Sequence, residues 1–169
     1  MKTWIITDPH FDHKGIEKWT ARKKGFQEML MAAMFKTIGP DDTLICLGDV
    51  SFLNHERWHK WMTSMAKNSI LVLGNHEKNS LTWYYKYWNC VCNKIKIRAF
   101  GEEIILSHKP TMIFDNEINI HGHFHNNNIT ECFYHEPELE TIYTKRHILI
   151  SCEELPNVQR LDKIIRRKK

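Results

Sequence analysis

The chain opens with short apolar runs that alternate with longer helical patterns. Three of the runs have the length of a strand and are rich in Ile, Val, Leu and Thr: residues 2–7, 43–47 and 70–73. Between the first two, apolar side chains recur at helical spacing until the breaker Gly39-Pro40. The order β, α, β, α, β predicts a parallel sheet covered by helices.

A second apolar stripe fills the interval between the second and third runs. Its members lie at i, i+3, i+4 and i+7: Trp58, Trp61, Met62 and Met65. Tryptophan and methionine at this spacing are ordinary packing groups. We therefore expect a helix that faces the core and not a cofactor site.

After residue 90 the pattern changes to strands with short connections. The predicted strands are 91–97, 103–107, 117–120, 129–134 and 142–151, and a helix is predicted over 155–167. This half is expected to form an antiparallel or mixed sheet. No repeat or low-complexity linker interrupts the chain, so residues 1–169 are predicted to form a single domain with a basic segment at 163–169.

Composition narrows the class of protein. The 169 residues are 42% hydrophobic and 26% charged, which suits one globular domain. The apolar runs are far shorter than the roughly 18 to 20 residues that cross a bilayer, and the first is too short for a signal-peptide core. The five cysteines have no zinc-site or redox-pair spacing. We expect a cytoplasmic protein with no membrane segment.

The positive charge is concentrated at one end of the chain. The net charge is +4, and five cations lie within the last seven residues: Lys163, Arg166, Arg167, Lys168 and Lys169. The rest of the chain is therefore close to neutral. Such a segment can attract nucleic acid or another polyanion, and it can equally be a solvated helix end that complements the helix dipole.

Polar clusters directly follow the predicted strands. There are five: Asp8-Pro9-His10, Gly48-Asp49, Gly74-Asn75-His76-Glu77, Ser107-His108 and His121-Gly122-His123-Phe124-His125. Because ligands of open α/β sheets bind beyond the carboxyl ends of strands, we expect these clusters to meet at one edge. The glycines fit the sharp chain exits there, since glycine adopts backbone angles that other residues avoid.

The clusters supply oxygen and nitrogen donors but no thiolate. Two carboxylates, one amide and four imidazoles stand out: Asp8, Asp49, Asn75, His10, His108, His123 and His125. This donor set suits manganese, iron or zinc. Seven donors are too many for one tetrahedral ion, but they suit two ions that share a carboxylate. Two ions about 3.5–4 Å apart are a common device for displacement at phosphorus.

These five segments, in this order, resemble the motif set of the calcineurin-like metallophosphoesterase family over residues 3–126. The stretches 8–13 and 47–52 further resemble a small bacterial and bacteriophage branch of that family. The resemblance implies the α/β class, with a calcineurin-like β-sandwich of mixed sheets flanked by helices in four layers, α/β/β/α. Only about fifteen residues separate His108 from His123, so a large capping insertion is absent and we expect an open pocket.

The resemblance also implies a role for each residue. It assigns three ligands to each of two ions and one bridge between them: Asp8, His10 and His125 to the first ion, Asn75, His108 and His123 to the second, and Asp49 as the bridge. His76 would lean over the scissile phosphate and stabilise charge or protonate the leaving oxygen. The ions would be two divalent cations, manganese first, with iron, zinc or nickel as alternatives. His13 and His121 are left open between support of the site and simple packing.

The implied activity is hydrolysis of a phosphate ester by a hydroxide that the metal ions activate. A phosphodiesterase acting on a nucleotide or nucleic acid is favoured, because residues 83–88 contain five aromatic side chains that could stack a base. Core packing is the preferred interpretation of those aromatics. The alternatives are a phosphomonoesterase for small molecules or phosphoproteins, a non-catalytic metal-binding scaffold, and a nucleic-acid-binding module based on the basic segment. No oligomeric state is predicted.

Overall fold

The computed structural model describes residues 1–153 and 156–167. Its elements, in chain order, are β1 (Thr3–Ile6), α1 (Phe26–Thr37), β2 (Thr43–Cys46), α2 (His55–Thr63), β3 (Asn68–Val72), α3 (Leu81–Tyr84), β4 (Cys90–Cys92), β5 (Lys94–Ala99), β6 (Glu102–Ser107), β7 (Glu117–His121), α4 (Ile129–His135), α5 (Pro137–Glu140), β8 (His147–Leu149), β9 (Gln159–Arg160) and α6 (Leu161–Arg166). Across these ranges, no helix is long and apolar enough to span a bilayer.

The first sheet has the order β4-β3-β2-β1-β9. Strands β1 to β3 are parallel, as the alternation of strands and helices predicts. Strand β4 is also parallel to β3, and β9 runs antiparallel to β1. Ile6 pairs with Cys46, and Cys46 pairs with Leu71. Because the strands end in register, the residues that follow them emerge at the same edge of the sheet.

The second sheet has the order β5-β6-β7-β8. It is mixed, since β5 pairs with β6 antiparallel whereas β6, β7 and β8 are parallel. Side chains of both sheets form one apolar cluster, which includes Ile5, Ile45, Leu106 and Ile120. A second cluster joins the first sheet to α1 and α2. The chain therefore has the expected α/β fold, with two mixed sheets flanked by helices.

In the second half, one predicted strand is wrong and another is only partly right. Residues 129–134 form helix α4, because the side chain of Asn128 accepts a hydrogen bond from Thr130 N at 2.9 Å and caps the first turn. The predicted strand 142–151 is reduced to β8, and the residues before it form a turn in which Thr144 N donates to His147 Nδ1 at 3.0 Å. Local polar hydrogen bonds thus override the apolar pattern in both places.

Two other predicted elements have different boundaries. The single strand 91–97 is divided at Asn93 into β4 of the first sheet and β5 of the second. The predicted helix 155–167 begins only at Leu161, because residues 159–160 pair with β1. Its start at residue 155 lies outside the described residues.

The basic segment is part of an amphipathic helix. In α6, Leu161, Ile164 and Ile165 are buried in the apolar cluster between the sheets. Lys163, Arg166 and Arg167 are exposed, and Lys168 and Lys169 lie outside the described residues. The cations up to residue 167 therefore have a fixed position in the fold.

The aromatic segment 83–88 mainly seals the core. Tyr84 and Trp88 are 1% and 2% exposed. The Trp88 indole N–H donates to Nδ1 of buried His59 at 2.8 Å. Tyr85 is the exposed ring of the segment, at 54%. Packing, and not a stacking platform, accounts for these residues.

Candidate metal centre

The polar clusters meet at the edge where β1, β2, β3, β6 and β7 end. Backbone hydrogen bonds join the clusters directly: Asp8 N donates to Gly48 O at 3.1 Å, His10 N to Asp49 O at 3.0 Å, and Gly122 N to His108 O at 2.9 Å. Glu77 braces the same loops, since its carboxylate accepts from Asp49 N and Gly74 N at 2.8 and 2.7 Å. These contacts hold the loops together and use none of the side chains that are candidate metal ligands.

In each of the two central carboxylates, Asp8 and Asp49, one oxygen accepts hydrogen bonds from the main chain and the other faces the imidazoles. Oδ2 of Asp8 accepts from His123 N at 2.9 Å and from the Thr7 hydroxyl. Oδ1 of Asp49 accepts from His76 N at 2.9 Å. Asp8 Oδ1 is buried and has no hydrogen-bond partner, which is costly unless a cation neutralises it.

Imidazole nitrogens surround the two remaining oxygens. Nε2 of His10 lies 3.7 Å from Asp8 Oδ1 and 3.6 Å from Asp49 Oδ2. Nε2 of His108 lies 3.5 Å from Asp49 Oδ2. These separations are too long for hydrogen bonds, but they suit two ligands of one ion, because each ligand atom lies about 2.0–2.2 Å from it. Both ring nitrogens of His10 are buried without a partner.

The donors form two compact groups whose ligand atoms lie within 4.8 Å of one another: Asp8, His10 and His125, and Asp8, Asp49 and His108. Asn75 joins the second group, since its Oδ1 lies 2.8 Å from His108 Nε2. The two groups share Asp8, whereas the family resemblance gives the bridge to Asp49. Asp49 Oδ2 nevertheless lies near donors of both groups, at 3.6 Å from His10 and 3.5 Å from His108. This donor set fits divalent cations.

The side chain of His123 lies beside these groups and not within them. Its ring centre is 5.0 Å from that of His108, but its Nε2 contacts the Glu136 carboxylate. Glu136 also pairs with Lys109. This contact leaves Nδ1 as the ring atom of His123 that could bind an ion. Glu136 was missed in the sequence because α4, which ends beside it, was predicted as a strand.

A buried ion pair supports the site from behind. Oε1 of Glu153 accepts from Arg22 Nη2 at 2.6 Å and from His125 Nδ1 at 2.8 Å. Arg22 Nη1 in turn donates to Pro9 O at 2.7 Å. The pair therefore fixes both the loop after β1 and the His125 ring, whose Nε2 is turned toward Asp8 Oδ1 at 4.0 Å.

The electrostatics of the site keep the Asp8 carboxylate ionised. Burial acts to raise the pKa of Asp8, but His108, His10 and His125 around it bring that pKa well below its ordinary value. Burial acts to lower the pKa of His125, yet its hydrogen bond to Glu153 raises it above the ordinary value. The carboxylate of Asp8 is thus charged at neutral pH and is available to a metal ion.

The backbone at this edge is unusual. Five donor-bearing or adjacent residues have positive φ, between 49° and 69°: Asp8, His10, Asp49, His123 and His125. Such angles are uncommon outside glycine and concentrate at functional sites. Of the three motif glycines, only Gly48 has a φ in this region, at +93°. The expectation that backbone angle explains Gly74 and Gly122 is wrong.

Gly122 is required for space. A Cβ at this position would lie 1.8 Å from Thr7 Oγ1 and 2.3 Å from Asp8 Oδ2. We expect Gly122→Ala to displace the Asp8 carboxylate and to weaken Mn²⁺ binding by about 10–100-fold, the loss typical of disturbed ligand support. Calorimetric titration with Mn²⁺, with circular dichroism to check folding, measures this effect.

Gly39 provides the matched control for that substitution. A Cβ on Gly39 would come no closer than 3.4 Å to Asp42 Oδ2, which is ordinary contact. Gly39→Ala should therefore bind Mn²⁺ like the unmodified protein. Equal affinity in the Gly122→Ala protein would show that the edge is not packed as tightly as described.

His76 lies at the open end of the site. Its side chain is 36% exposed, and its Nε2 is 3.8 Å from Asp49 Oδ2. Burial lowers the pKa of His76, while the nearby Asp49 carboxylate opposes that change. The ring lies 4.8 Å from Phe52 and 5.4 Å from His10, measured between centroids. The His76 side chain therefore lies at the entrance of the site, where it can contact a bound substrate.

The two histidines that the sequence left open differ in position. His13 stands against Phe52, with 4.1 Å between ring centres, and its buried Nδ1 has no hydrogen-bond partner. His121 is fully buried and hydrogen-bonds Gly122 O at 2.9 Å and the Tyr143 hydroxyl at 3.2 Å. Burial lowers the pKa of His121 to about 4, so its ring is neutral. The contacts of His121 are those of a packing residue.

Comparison with known proteins places these motifs in a wider group. The family model of the calcineurin-like phosphoesterases matches residues 1–166. The Gene 66 protein of Mycobacterium phage L5 is 23% identical, with 90% of this chain and 91% of that protein covered. An uncharacterised protein of Methanocaldococcus jannaschii is 24% identical, with 83% and 79% covered. The crystal structure of a protein of unknown function from Aquifex aeolicus has a TM-score of 0.75 at 23% identity and covers 98% of both chains, which supports the fold.

Proposed function

The chain belongs to the calcineurin-like phosphoesterase family and is a metal-dependent phosphoester hydrolase; from this premise we propose that it is a phosphodiesterase with a two-metal centre at the sheet edge. The observation that carries the proposal is the pair of buried, unpartnered groups at that edge, Asp8 Oδ1 and the ring nitrogens of His10. Burying such groups without a partner is costly, and a cation bound between them would remove that cost.

The proposed ligands are those that the family resemblance implies. We assign Asp8, His10 and His125 to one ion, Asn75, His108 and His123 to the other, and Asp49 to both. When bound, the ions would offset the charge of the phosphoryl oxygens and acidify a water molecule. Manganese is the proposed metal, because carboxylate, amide and imidazole donors without a thiolate suit it.

The chain itself supplies the proton to the leaving group. His76 is the proposed donor, since it is partly exposed beside Asp49 while its backbone N–H is fixed by Asp49 Oδ1 at 2.9 Å. Arg22 and Glu153 hold His125 and the loop after β1 in position. These contacts position the donors before substrate arrives.

Two large clefts border the proposed donors, and a third, of about 340 Å³, is lined by Asn75 and His108. One of the two large clefts, of about 790 Å³, is lined by Pro9, His10 and His13. The other, of about 600 Å³, is lined by His125 and Asn126. A phosphomonoester carries one organic arm, whereas a diester carries two. The two large clefts provide room for both arms of a diester next to the centre.

Turnover of two chromogenic esters tests the proposal. With Mn²⁺ present, we expect kcat/KM for bis-p-nitrophenyl phosphate to exceed that for p-nitrophenyl phosphate by about tenfold or more, which corresponds to about 1.4 kcal/mol. Chelation with EDTA should abolish both activities, and Mn²⁺ should restore them. A preference for the monoester would contradict the diesterase assignment.

His76→Ala tests the proton donor. We expect kcat for bis-p-nitrophenyl phosphate to fall by about 10²-fold, at the lower end of the range for general acids because nitrophenolate leaves readily. The Mn²⁺ content should be unchanged, since His76 is not a proposed ligand. The exposed His135 provides the control, and His135→Ala should retain full kcat. An unchanged kcat in His76→Ala would remove His76 from the mechanism.

A single domain and a cytoplasmic location are further parts of this proposal. The cluster between the sheets joins residues from both halves of the chain, such as Ile5, Val72, Ile118 and Ile164. All five cysteines are free, and two of them are buried. Unpaired cysteines are typical of proteins that stay in a reducing compartment.

A further inference from the structure

The two larger clefts beside the metal centre differ in charge. The cleft at His10 is lined by acidic as well as basic side chains, among them Asp12, Glu17 and Glu28. The cleft at His125 extends to α6, where it is lined by Lys163 and by Arg167, the residue that directly follows the helix. Within the described ranges, none of its lining residues is Asp or Glu. The described lining of the second cleft therefore carries positive charge and suits an anionic ligand.

The cations of α6 are available to a ligand. Lys163 and Arg167 are exposed, and neither has an ion-pair partner among the residues the structure describes. Arg160 also lines the cleft, but Asp162 neutralises it through contacts of 2.7 and 2.5 Å. Side-chain amides of Asn126 and Asn127 line the cleft nearer to His125. Lysine, arginine and amide side chains are the usual contacts of phosphate and sugar groups.

The cleft is too long for one phosphate group. Arg160, which directly precedes α6, pairs with Trp4, four residues before Asp8. Two of these residues lie in β1, which ends at Ile6, and at about 3.3 Å per residue α6 thus begins up to roughly 13 Å from the donors. A phosphate at the metal centre and an anion beside α6 are therefore different groups. A single ligand that supplies both must carry repeated phosphates.

We propose that this cleft, from His125 to α6, binds the backbone of single-stranded nucleic acid and holds one arm of the diester that the metal centre cleaves. A basic groove that tracks the backbone is one of the two features of single-strand binding, the other being aromatic side chains on which bases stack. Trp4, which lines the cleft, is only 8% exposed, so its ring has no accessible face on which a base could stack. Binding therefore depends on the backbone and is independent of sequence. This inference rests on the proposed diesterase function.

Charge reversal at α6 tests the subsite. We expect Lys163→Glu combined with Arg167→Glu to raise KM for a Mn²⁺-dependent cleavage of a single-stranded 12-mer by about tenfold or more. Hydrolysis of bis-p-nitrophenyl phosphate, which is too short to reach α6, should be unchanged. The slope of log KM against log salt should decrease by about 1.4, because each single-strand phosphate contact contributes about 0.7.

The control has the same charge change elsewhere. Lys60 and Lys67 are exposed and do not line this cleft, so Lys60→Glu combined with Lys67→Glu should leave KM for the 12-mer within about twofold. An unchanged KM in the α6 variant, an equal rise in the control, or equal cleavage of a duplex would each overturn the subsite and leave the diesterase function intact. Failure of the unmodified protein to hydrolyse bis-p-nitrophenyl phosphate with Mn²⁺ would instead contradict the proposed function itself.

Discussion

Asp49→Asn is expected to reduce Mn²⁺-dependent hydrolysis of bis-p-nitrophenyl phosphate by at least about 10³-fold. The asparagine side chain still has an oxygen at the Oδ1 position, which can accept from His76 N, so the loop after β3 stays in place. The substitution replaces the second oxygen, which lies 3.5–3.6 Å from His108 and His10, with an NH₂ group that cannot bind a cation. Loss of this one oxygen thus affects both proposed ions. The expected loss of activity is therefore larger than the loss caused by removing a contact to a single ion.

The measurement combines kcat/KM with metal content determined by plasma mass spectrometry. The Asp49→Asn protein should fold normally and hold fewer Mn²⁺ ions than the unmodified protein. Asp41 is exposed, and Asp41→Asn should change neither quantity. If the Asp49→Asn protein kept two ions and more than about a tenth of its activity, Asp49 would not be the bridge.

Arg22→Ala is expected to lower the free energy of unfolding by about 3–5 kcal/mol. The Glu153 side chain is 0% exposed and pairs with Arg22 at 2.6 Å. Removing the guanidinium leaves that carboxylate buried without its main counter-charge, and it also leaves Pro9 O without its donor. Removing one partner of a buried ion pair lowers the free energy of unfolding strongly, because the other charge stays buried. Replacing both partners by apolar residues changes it much less.

Urea denaturation in EDTA measures this cost without a contribution from metal binding. The neighbouring Lys23 is exposed, so Lys23→Ala should stay within about 0.5 kcal/mol of the unmodified protein. Arg22→Ala should also weaken Mn²⁺ binding, because Glu153 and the loop after β1 lose their common partner. A change of less than about 1 kcal/mol in Arg22→Ala would show that the pair is not buried as described.

The sequence predicts the donors of the site because they follow strands directly. Asp8, Asp49 and Asn75 come after β1, β2 and β3, and in-register parallel strands bring such residues to one edge. The fold class is predicted for the same reason, since alternating strands and helices leave few arrangements. The order of strands, helices and polar residues along the chain is therefore enough to predict both the donor residues and the fold class.

The supporting residues could not be predicted, because their contacts cross most of the chain. Arg22 and Glu153 are 131 positions apart, and Arg22 stands in the run Arg22-Lys23-Lys24, which is typical of a solvated segment. Glu136 was hidden by the strand wrongly predicted at 129–134, where the Asn128 cap starts a helix. Strand β9 has two residues, too few for a periodic pattern. Tertiary contacts determine these features.

Crystals soaked in Mn²⁺ and measured at the manganese absorption edge test the two-metal centre most directly. Two anomalous peaks about 3.5–4 Å apart are expected, with Asp49 between them and Asp8 and His108 on opposite sides. A single peak, or peaks away from Asp8 and Asp49, would contradict the account.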